Sequence, residues 1–285
     1  MANSTSNRSS SNHVTNKIRP FRFESYGVNV EITGNDQNVV DAATAVARRS
    51  LLNEIRPIRA GAVDHLFELN RTKSGIFIFN QNGVRISSGR SRRKFLNYFD
   101  SIVRVAVGEY APNRIFLHAG VVGWKGKAIL LPADSFRGKT TLVAELVRNG
   151  AVYYSDEYAI LDKDGLVYPF ARPLSMRTTH GRFRTYELTV EDLGGTYGRT
   201  PLPVGMVLLT GYEPEQRWRP KILTPGKAVL AMIPFTLPIR TRPDFAIQVL
   251  NRIASTTVVA SGLRGSAESF VKTLLKFVDK QLELD

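Results

Sequence analysis

The chain has 285 residues, 43% of them hydrophobic, which is enough for one large domain or two small ones with a buried core. The absence of cysteine excludes disulfides and thiolate metal sites, and no apolar run reaches the ~18 residues that a membrane-spanning helix needs. With 39 Lys and Arg against 25 Asp and Glu, the net charge of +14 predicts attraction to an anionic partner, whether nucleic acid, acidic protein or nucleotide.

The first 16 residues consist almost entirely of Ser, Asn and Thr. Such a segment buries too little apolar surface to offset its ordering entropy, so residues 1–16 are predicted to be a disordered tail. They also lack the apolar core of a signal peptide, and we therefore expect a cytoplasmic protein without a membrane partner.

Residues 17–110 are predicted to form an N-terminal α+β segment that joins the rest of the chain near residues 108–113. The predicted elements are a strand at 21–32, a helix at 36–52, strands at 65–69, 75–79 and 84–86, and a helix at 95–107. Asn82-Gly83 is typical of a tight hairpin turn between the last two strands. The basic run at 89–94 lacks interleaved aromatic residues, so the solvated start of the second helix is favoured over a nucleic-acid contact.

Residues 133–140 read Ala-Asp-Ser-Phe-Arg-Gly-Lys-Thr and match the phosphate-binding pattern G-x-x-x-x-G-K-[ST] except for alanine at the first glycine. This segment, called the GKT loop below, follows a short apolar strand at 128–131 and precedes apolar residues at helical spacing that end at Gly150. That order predicts a phosphate site, because backbone N–H groups and the helix dipole bind anions at a helix N-terminus. The residues predicted to bind the nucleotide are Ala133, Asp134, Ser135, Phe136, Arg137, Gly138, Lys139, Thr140 and Thr141.

Within the GKT loop, Lys139 is predicted to contact the β- and γ-phosphates of ATP, and the Thr140 hydroxyl is predicted to bind Mg²⁺. Ala133 is compatible with this function if its φ is negative, because a Cβ atom is costly at positive φ. Together with the bulk of Phe136 and Arg137, the alanine leaves open an alternative, a degenerate nucleotide-binding scaffold without turnover.

Two acids, Asp156 and Glu157, follow the next predicted strand at residues 151–154. The carboxyl ends of strands beside a phosphate loop are where open α/β sheets hold metal-binding and catalytic groups. By itself such a pair is more typical of a solvated turn. Its interpretation as a functional pair therefore depends on the neighbouring GKT loop.

The order of these motifs is similar to that of the kinase domain of the HPr kinase/phosphorylase family. The residues that carry the resemblance are His118, Asp134, Ser135, Gly138, Lys139, Thr140, Asn149, Gly150, Asp156 and Glu157. Their intervals also match, with 21 positions from His118 to Lys139 and 16 from Thr140 to Asp156. The resemblance is good over residues 114–161 and loose over the rest of the C-terminal half.

The resemblance implies an α/β fold with a P-loop kinase core of the HPr-kinase/PEP-carboxykinase type at residues 111–285. It also implies ATP and Mg²⁺ as cofactors and transfer of the γ-phosphate to a serine-like hydroxyl of a protein or peptide. Within the site it implies that Asp156 is the catalytic base, that Glu157 binds the metal or a metal-bound water, and that His118 orients or tunes Asp156. Lys139 would be the catalytic cation.

Beyond the acid pair, a basic loop region carries four arginines, Arg172, Arg177, Arg182 and Arg184. They are predicted either to stabilise charge on the phosphates and attract an acidic acceptor peptide, or to be ordinary surface residues. The other predicted elements are strands at 158–161, 166–170, 204–210 and 258–260 and helices at 223–230, 244–253 and 266–284.

A second function also stays open from the sequence, a nucleic-acid-associated NTPase that uses the basic surface. Helicase-type motifs and a recognition-helix pattern, which would favour that function, are missing from the sequence. The sequence is compatible with a monomer and with a homo-oligomer.

Overall fold

The computed structural model describes residues 18–52, 54–134, 137–177 and 185–283. The predicted disordered tail lies outside these ranges, as do the predicted nucleotide-binding residues Ser135 and Phe136 and the loop arginines Arg182 and Arg184. Within the described ranges, no helix is both long and apolar enough to cross a membrane.

The described residues form a mixed α/β structure, which confirms the predicted α/β class. The strands are β1 (Phe21–Ser25), β2 (Val28–Gly34), β3 (Arg56–Pro57), β4 (His65–Arg71), β5 (Phe77–Gln81), β6 (Val84–Gly89), β7 (Ile115–Trp124), β8 (Lys127–Pro132), β9 (Val152–Ser155), β10 (Tyr158–Leu161), β11 (Leu166–Tyr168), β12 (Leu174–Arg177), β13 (Thr185–Leu188), β14 (Leu202–Tyr212), β15 (Lys221–Ile222) and β16 (Val258–Arg264). The α-helices are α1 (Gln37–Ser50), α2 (Arg92–Tyr110), α3 (Lys139–Arg148), α4 (Pro225–Met232), α5 (Pro243–Thr256) and α6 (Ala267–Leu282). Short 3-10 helices lie at Glu191–Leu193, Ile233–Phe235 and Leu237–Ile239.

The N-terminal sheet has the strand order β3-β1-β2-β4-β5-β6, with helices α1 and α2 packed on it. The single strand predicted at 21–32 is in fact a hairpin of β1 and β2, because Tyr26 and Gly27 turn the chain with φ values of 50° and 82°. The predicted turn at Asn82-Gly83 is confirmed, with φ values of 50° and 79° between β5 and β6. Both turns have the two consecutive positive φ angles that suit tight hairpins.

Side-chain caps set where the two N-terminal helices begin. Asp36, the first residue of the predicted helix, is the N-cap of α1, and its side chain accepts a hydrogen bond from the Asn38 backbone N–H. Ser91 accepts from the Lys94 N–H, so α2 begins at Arg92, three residues before the predicted start. The basic run at 89–94 therefore includes the exposed first turn of α2.

The second sheet has the strand order β11-β10-β7-β8-β14-β16-β15, and β9 pairs with the edge of β7 opposite to β8. Strands β8, β14 and β16 are parallel to one another. Strand β9 points the same way, because both β8 and β9 are antiparallel to β7. The carboxyl ends of these four strands therefore lie at one edge of the sheet, and both the GKT loop and the acid pair leave from that edge.

Helices cover both faces of the second sheet. One apolar cluster packs α3 and α6 against the side of β14 that carries Met206 and Leu208. The other packs α4 and α5 against the opposite side, which carries Val207 and Val259. Because α3 is held on the first face by its buried residues, its N-terminus is fixed at the sheet edge where the GKT loop ends.

A third apolar cluster joins the two sheets. It contains Phe99 and Val107 of the N-terminal segment together with Phe116 and Tyr158 of the second sheet. Gly108 allows this close approach, since a Cβ atom there would lie 2.8 Å from Phe116. Residues 18–110 thus pack directly on the sheet that carries the acid pair.

Candidate functional site

The GKT loop joins the end of β8 to the start of α3, as the sequence pattern predicts. Gly138 is the N-cap of α3 with a φ of 77°, a conformation that favours glycine. A Cβ atom at position 138 would lie 3.0 Å from Nη2 of Arg264 and 3.3 Å from Cβ of Tyr212. Glycine is therefore required here both for its backbone freedom and for the space that it leaves.

Ala133, the departure from the phosphate-binding pattern, is buried at the start of the loop. It is not among the non-glycine residues with positive φ, so the backbone does not demand glycine at this position. Asp134 is exposed, and its backbone carbonyl accepts a hydrogen bond from the Arg137 N–H at 3.4 Å. The alanine thus costs the loop no backbone strain.

Lys139, in the first turn of α3, places its Nζ atom 2.9 Å from Nε2 of His118 on β7. Burial, together with the neighbouring charge of Lys139, lowers the pKa of His118 to about 4. Burial also lowers the pKa of Lys139, against the opposing effect of Asp156, Glu157 and Asp134. At neutral pH the ammonium therefore donates to a neutral imidazole. The resemblance implied that His118 orients or tunes Asp156, whereas in the structure its imidazole contacts Lys139.

Asp156 follows the last residue of β9 and is half-buried. Its Oδ1 atom is buried without a hydrogen-bond partner among the described residues. Burial raises the pKa of Asp156 to about 7, although the charge of Lys139, the Thr140 side chain and the backbone N–H of Ser175 lower it. A carboxyl group with a pKa near neutrality and an unpartnered oxygen can accept a proton or bind a cation.

Glu157 has a different environment from its neighbour. Its Oε1 accepts from Nε of Arg104 at 2.9 Å, and its Oε2 accepts from Nη1 of Arg172 at 2.7 Å. Arg172 therefore does return to the acid pair, but it binds the carboxylate of Glu157 there. A metal-binding role for Glu157 would require one of these ion pairs to open.

A resident metal site is not preassembled in the described residues, since they contain no group of three or more His, Asp or Glu side chains suited to hold one. Mg²⁺ does not need such a group, because it is commonly held by one or two protein oxygens together with substrate phosphates and water. Thr140 and Asp156 lie close enough to interact, and the unpartnered Oδ1 of Asp156 offers one further oxygen. These donors fit Mg²⁺ delivered with a nucleotide.

Arg264, at the end of β16, is a part of this region that the sequence did not single out. It is 1% exposed, and its Nη2 donates to the Gly138 carbonyl at 2.8 Å. It forms no ion pair with an acid in the described part of the chain, and its Nε atom has no partner there. Burial lowers its pKa to about 10, so it stays protonated at neutral pH. The sequence analysis ended the predicted strand at residue 260, whereas β16 extends to Arg264.

Arg104 is the second residue that the sequence did not single out. It lies on the buried face of α2, where periodicity predicts an apolar residue. Besides Glu157 it binds Asp100 and the Ser50 hydroxyl of the N-terminal segment. The acid pair is thus supported from the N-terminal sheet.

No protein-family model matches the chain, and no curated protein matches it. The interpretation of the site therefore depends on the geometry above. The predicted residues that the structure brings together are His118, Lys139, Thr140, Asp156 and Glu157. Thr141 lies in the first turn of α3, and Arg177 lies in β12.

Proposed function

We propose that this chain is an ATP-dependent kinase with a P-loop core of the HPr-kinase type, which transfers the γ-phosphate to a serine-like hydroxyl of a protein or peptide. The observation that carries the proposal is the juxtaposition of Lys139 with Asp156, whose pKa is raised to about 7, at the N-terminus of α3. Phosphoryl transfer needs positioned phosphates, a cation and a base, and this sheet edge offers a candidate for each.

Three positive groups support phosphate binding at the GKT loop. The N-terminus of α3 presents backbone N–H groups and the positive end of the helix dipole. Lys139 lies in the first turn, and the buried charge of Arg264 lies directly behind Gly138. Since Arg264 lacks an acidic partner among the described residues, its charge stays available to attract an anion.

The contact between His118 and Lys139 suits a lysine that must change partners. The imidazole is neutral at physiological pH because its pKa is about 4. A hydrogen bond to a neutral acceptor is weaker than one to a carboxylate, so phosphate can compete for the ammonium. His118 would then hold Lys139 near its working position until the nucleotide binds.

Asp156 is the proposed base. The acceptor oxygen forms a bond to the γ-phosphorus while the bond from that phosphorus to the β–γ bridging oxygen breaks. The acceptor proton passes to Asp156, and ADP leaves with the electron pair of the broken bond. A pKa near the operating pH suits this transfer, because the carboxylate is then both available and basic. Mg²⁺, when held by Thr140, the phosphates and water, supplies neutralising charge.

The basic surface points to an acidic peptide as the preferred acceptor, given the net charge of +14. Arg172 cannot serve this purpose freely, because it is bound to Glu157 and Asp100. The attraction would come from the remaining basic residues, and a cytoplasmic location is part of the same proposal.

The test is transfer of labelled γ-phosphate from Mg-ATP to serine-containing acidic and neutral peptides by the full-length chain. Asp156→Asn should slow transfer by roughly two to four orders of magnitude while ATP remains bound. Asp164→Asn is the matched control, because this exposed acid lies in the turn between β10 and β11, at the other end of β10 from Asp156.

Three outcomes would contradict the proposal. Hydrolysis that occurs only with nucleic acid would indicate the nucleic-acid-associated NTPase. Nucleotide binding without transfer or hydrolysis would indicate the degenerate scaffold. Normal transfer by Asp156→Asn would remove the assigned base.

A further inference from the structure

Tyr212 is an exposed aromatic residue beside the GKT loop. It is the last residue of β14, and its side chain is 46% exposed. Within the described residues the ring makes no hydrogen bond and no contact with another aromatic ring. A large exposed ring without such partners is available for a ligand.

The backbone of Tyr212 is fixed to the loop. Its N–H donates to the Arg137 carbonyl at 3.2 Å, and its Cβ atom lies beside Gly138. Its neighbour across the parallel pairing with β16 is Arg264, which binds the Gly138 carbonyl. The backbone N–H of Tyr212 and the side chain of Arg264 thus both bind carbonyl groups of the GKT loop. The two residues therefore form one end of the candidate phosphate site.

The strand order indicates which way a bound nucleotide would extend across the site. The order β9-β7-β8-β14-β16 places Asp156, at the end of β9, on one side of the GKT loop. Tyr212, at the end of β14, lies on the other side. Under the proposed function the γ-phosphate must lie beside Asp156, so the rest of the nucleotide must extend toward β14.

We propose that the ring of Tyr212 is the platform on which the base of the bound nucleoside triphosphate stacks. This inference rests on the proposed function, because it takes the GKT loop as the phosphate site and Asp156 as the γ-phosphate end. A purine presents a flat aromatic face, and stacking on a tyrosine ring requires only the exposed face that the structure offers. The short distance from Tyr212 to Gly138 suits a ligand whose phosphates bind at the loop.

The experiment compares Mg-ATP with magnesium tripolyphosphate by calorimetry on the full-length chain. Tripolyphosphate has the same three phosphates without a base, so it reports the GKT loop alone. Tyr212→Ala should weaken ATP roughly 5- to 100-fold and leave tripolyphosphate within about twofold of wild type. Tyr212→Phe, which keeps the ring, should bind ATP within about threefold of wild type.

Tyr110→Ala is the control for loss of an exposed ring elsewhere, since Tyr110 is 47% exposed and ends α2 in the N-terminal segment, where its ring contacts that of His65. This variant should change neither the affinity for Mg-ATP nor the affinity for tripolyphosphate. Thermal unfolding of each variant checks that the fold is retained, and the backbone bond from residue 212 to Arg137 does not depend on the side chain.

Each other result has one meaning. If Tyr212→Ala weakens ATP and tripolyphosphate equally, the ring supports the loop and no base stacks on it. If the wild type and Tyr212→Ala bind ATP equally well, the base does not stack on Tyr212, while the kinase proposal stands. If the wild type binds neither ligand, the proposed function fails and this inference fails with it.

Discussion

Arg104 of helix α2 donates from Nε to Oε1 of Glu157 at 2.9 Å, which connects the N-terminal sheet to the acid pair at the end of β9. Arg104 is 5% exposed and also binds Asp100 and Ser50. Arg172 binds Asp100 and Glu157 as well. The position of the residue next to the proposed base is therefore set by a helix more than 40 residues earlier in the chain.

Arg104→Met should destabilise the fold by about 1–3 kcal/mol, because it removes a buried partner from two carboxylates that then keep only Arg172 among these ion pairs. Urea unfolding measures the loss. Arg56→Met is the control, since Arg56 pairs with Glu24 while remaining 76% exposed, and its loss should cost at most about 1 kcal/mol. Equal losses in the two variants would show that the buried network does not stabilise the contact between the sheets.

Asp156→Asn should change how stability depends on pH. The fold raises the pKa of this carboxyl from 3.8 to about 7, so between these values the folded state binds the proton more tightly than the unfolded state. The contribution of Asp156 to stability is therefore present at low pH and is lost as the pH rises through about 7. Asparagine does not titrate, so the stability of the variant relative to wild type should increase by on the order of 1–3 kcal/mol from about pH 4 to about pH 8.

Urea unfolding across this pH range measures the difference for Asp156→Asn, and Asp164→Asn provides the baseline. The control acid is exposed in a turn, so its curve should run parallel to that of the wild type. Parallel curves for both variants would mean that the fold does not raise the pKa of Asp156.

Lys139→Met should raise the pKa of His118. In the wild type, NMR titration of the ring should give a pKa of about 4, with burial as the main cause and the Lys139 charge as the second. Removing that charge leaves the burial, so the pKa should increase but remain below the ordinary value of 6.5. A wild-type pKa near 6.5, or no change in Lys139→Met, would contradict the contact between the ammonium and the imidazole.

Gly138→Ala should be more harmful than the same change at Gly126. Both glycines have positive φ, 77° and 80°, so both variants incur about 1 kcal/mol of backbone strain. Only at position 138 does the new Cβ meet other atoms, at 3.0 Å from Arg264 and 3.3 Å from Tyr212, whereas position 126 has nothing within 4 Å. Gly138→Ala should therefore lose more stability in urea unfolding and also lose affinity for tripolyphosphate, while Gly126→Ala keeps that affinity. Equal effects on both measurements would show that the loop has room for a side chain.

Local patterns in the sequence determined much of the architecture around the site. The apolar run before the GKT loop, the helical spacing after it and the acids after the next strand correspond to β8, α3 and the end of β9. Such elements can be predicted from the sequence because strand and helix periodicities depend on neighbouring residues. The hairpin at Tyr26 and Gly27 was not predicted, although the apolar alternation changes phase there, from Phe23 to Val28 and Val30. A tyrosine at positive φ is an uncommon turn residue, so the dipeptide carries a weak turn signal.

Only the tertiary structure decided which groups meet at the site. His118 contacts Lys139 from 21 positions away, Arg104 reaches Glu157 across 53, and Arg264 reaches Gly138 across 126. These separations carry no periodic signal, because the contacts arise from the order of strands in the sheet and from the packing of α2 on it. The motif spacing determined where the GKT loop and the acid pair lie along the chain, whereas burial and long-range pairing determined the pKa of Asp156 and the partners of Glu157.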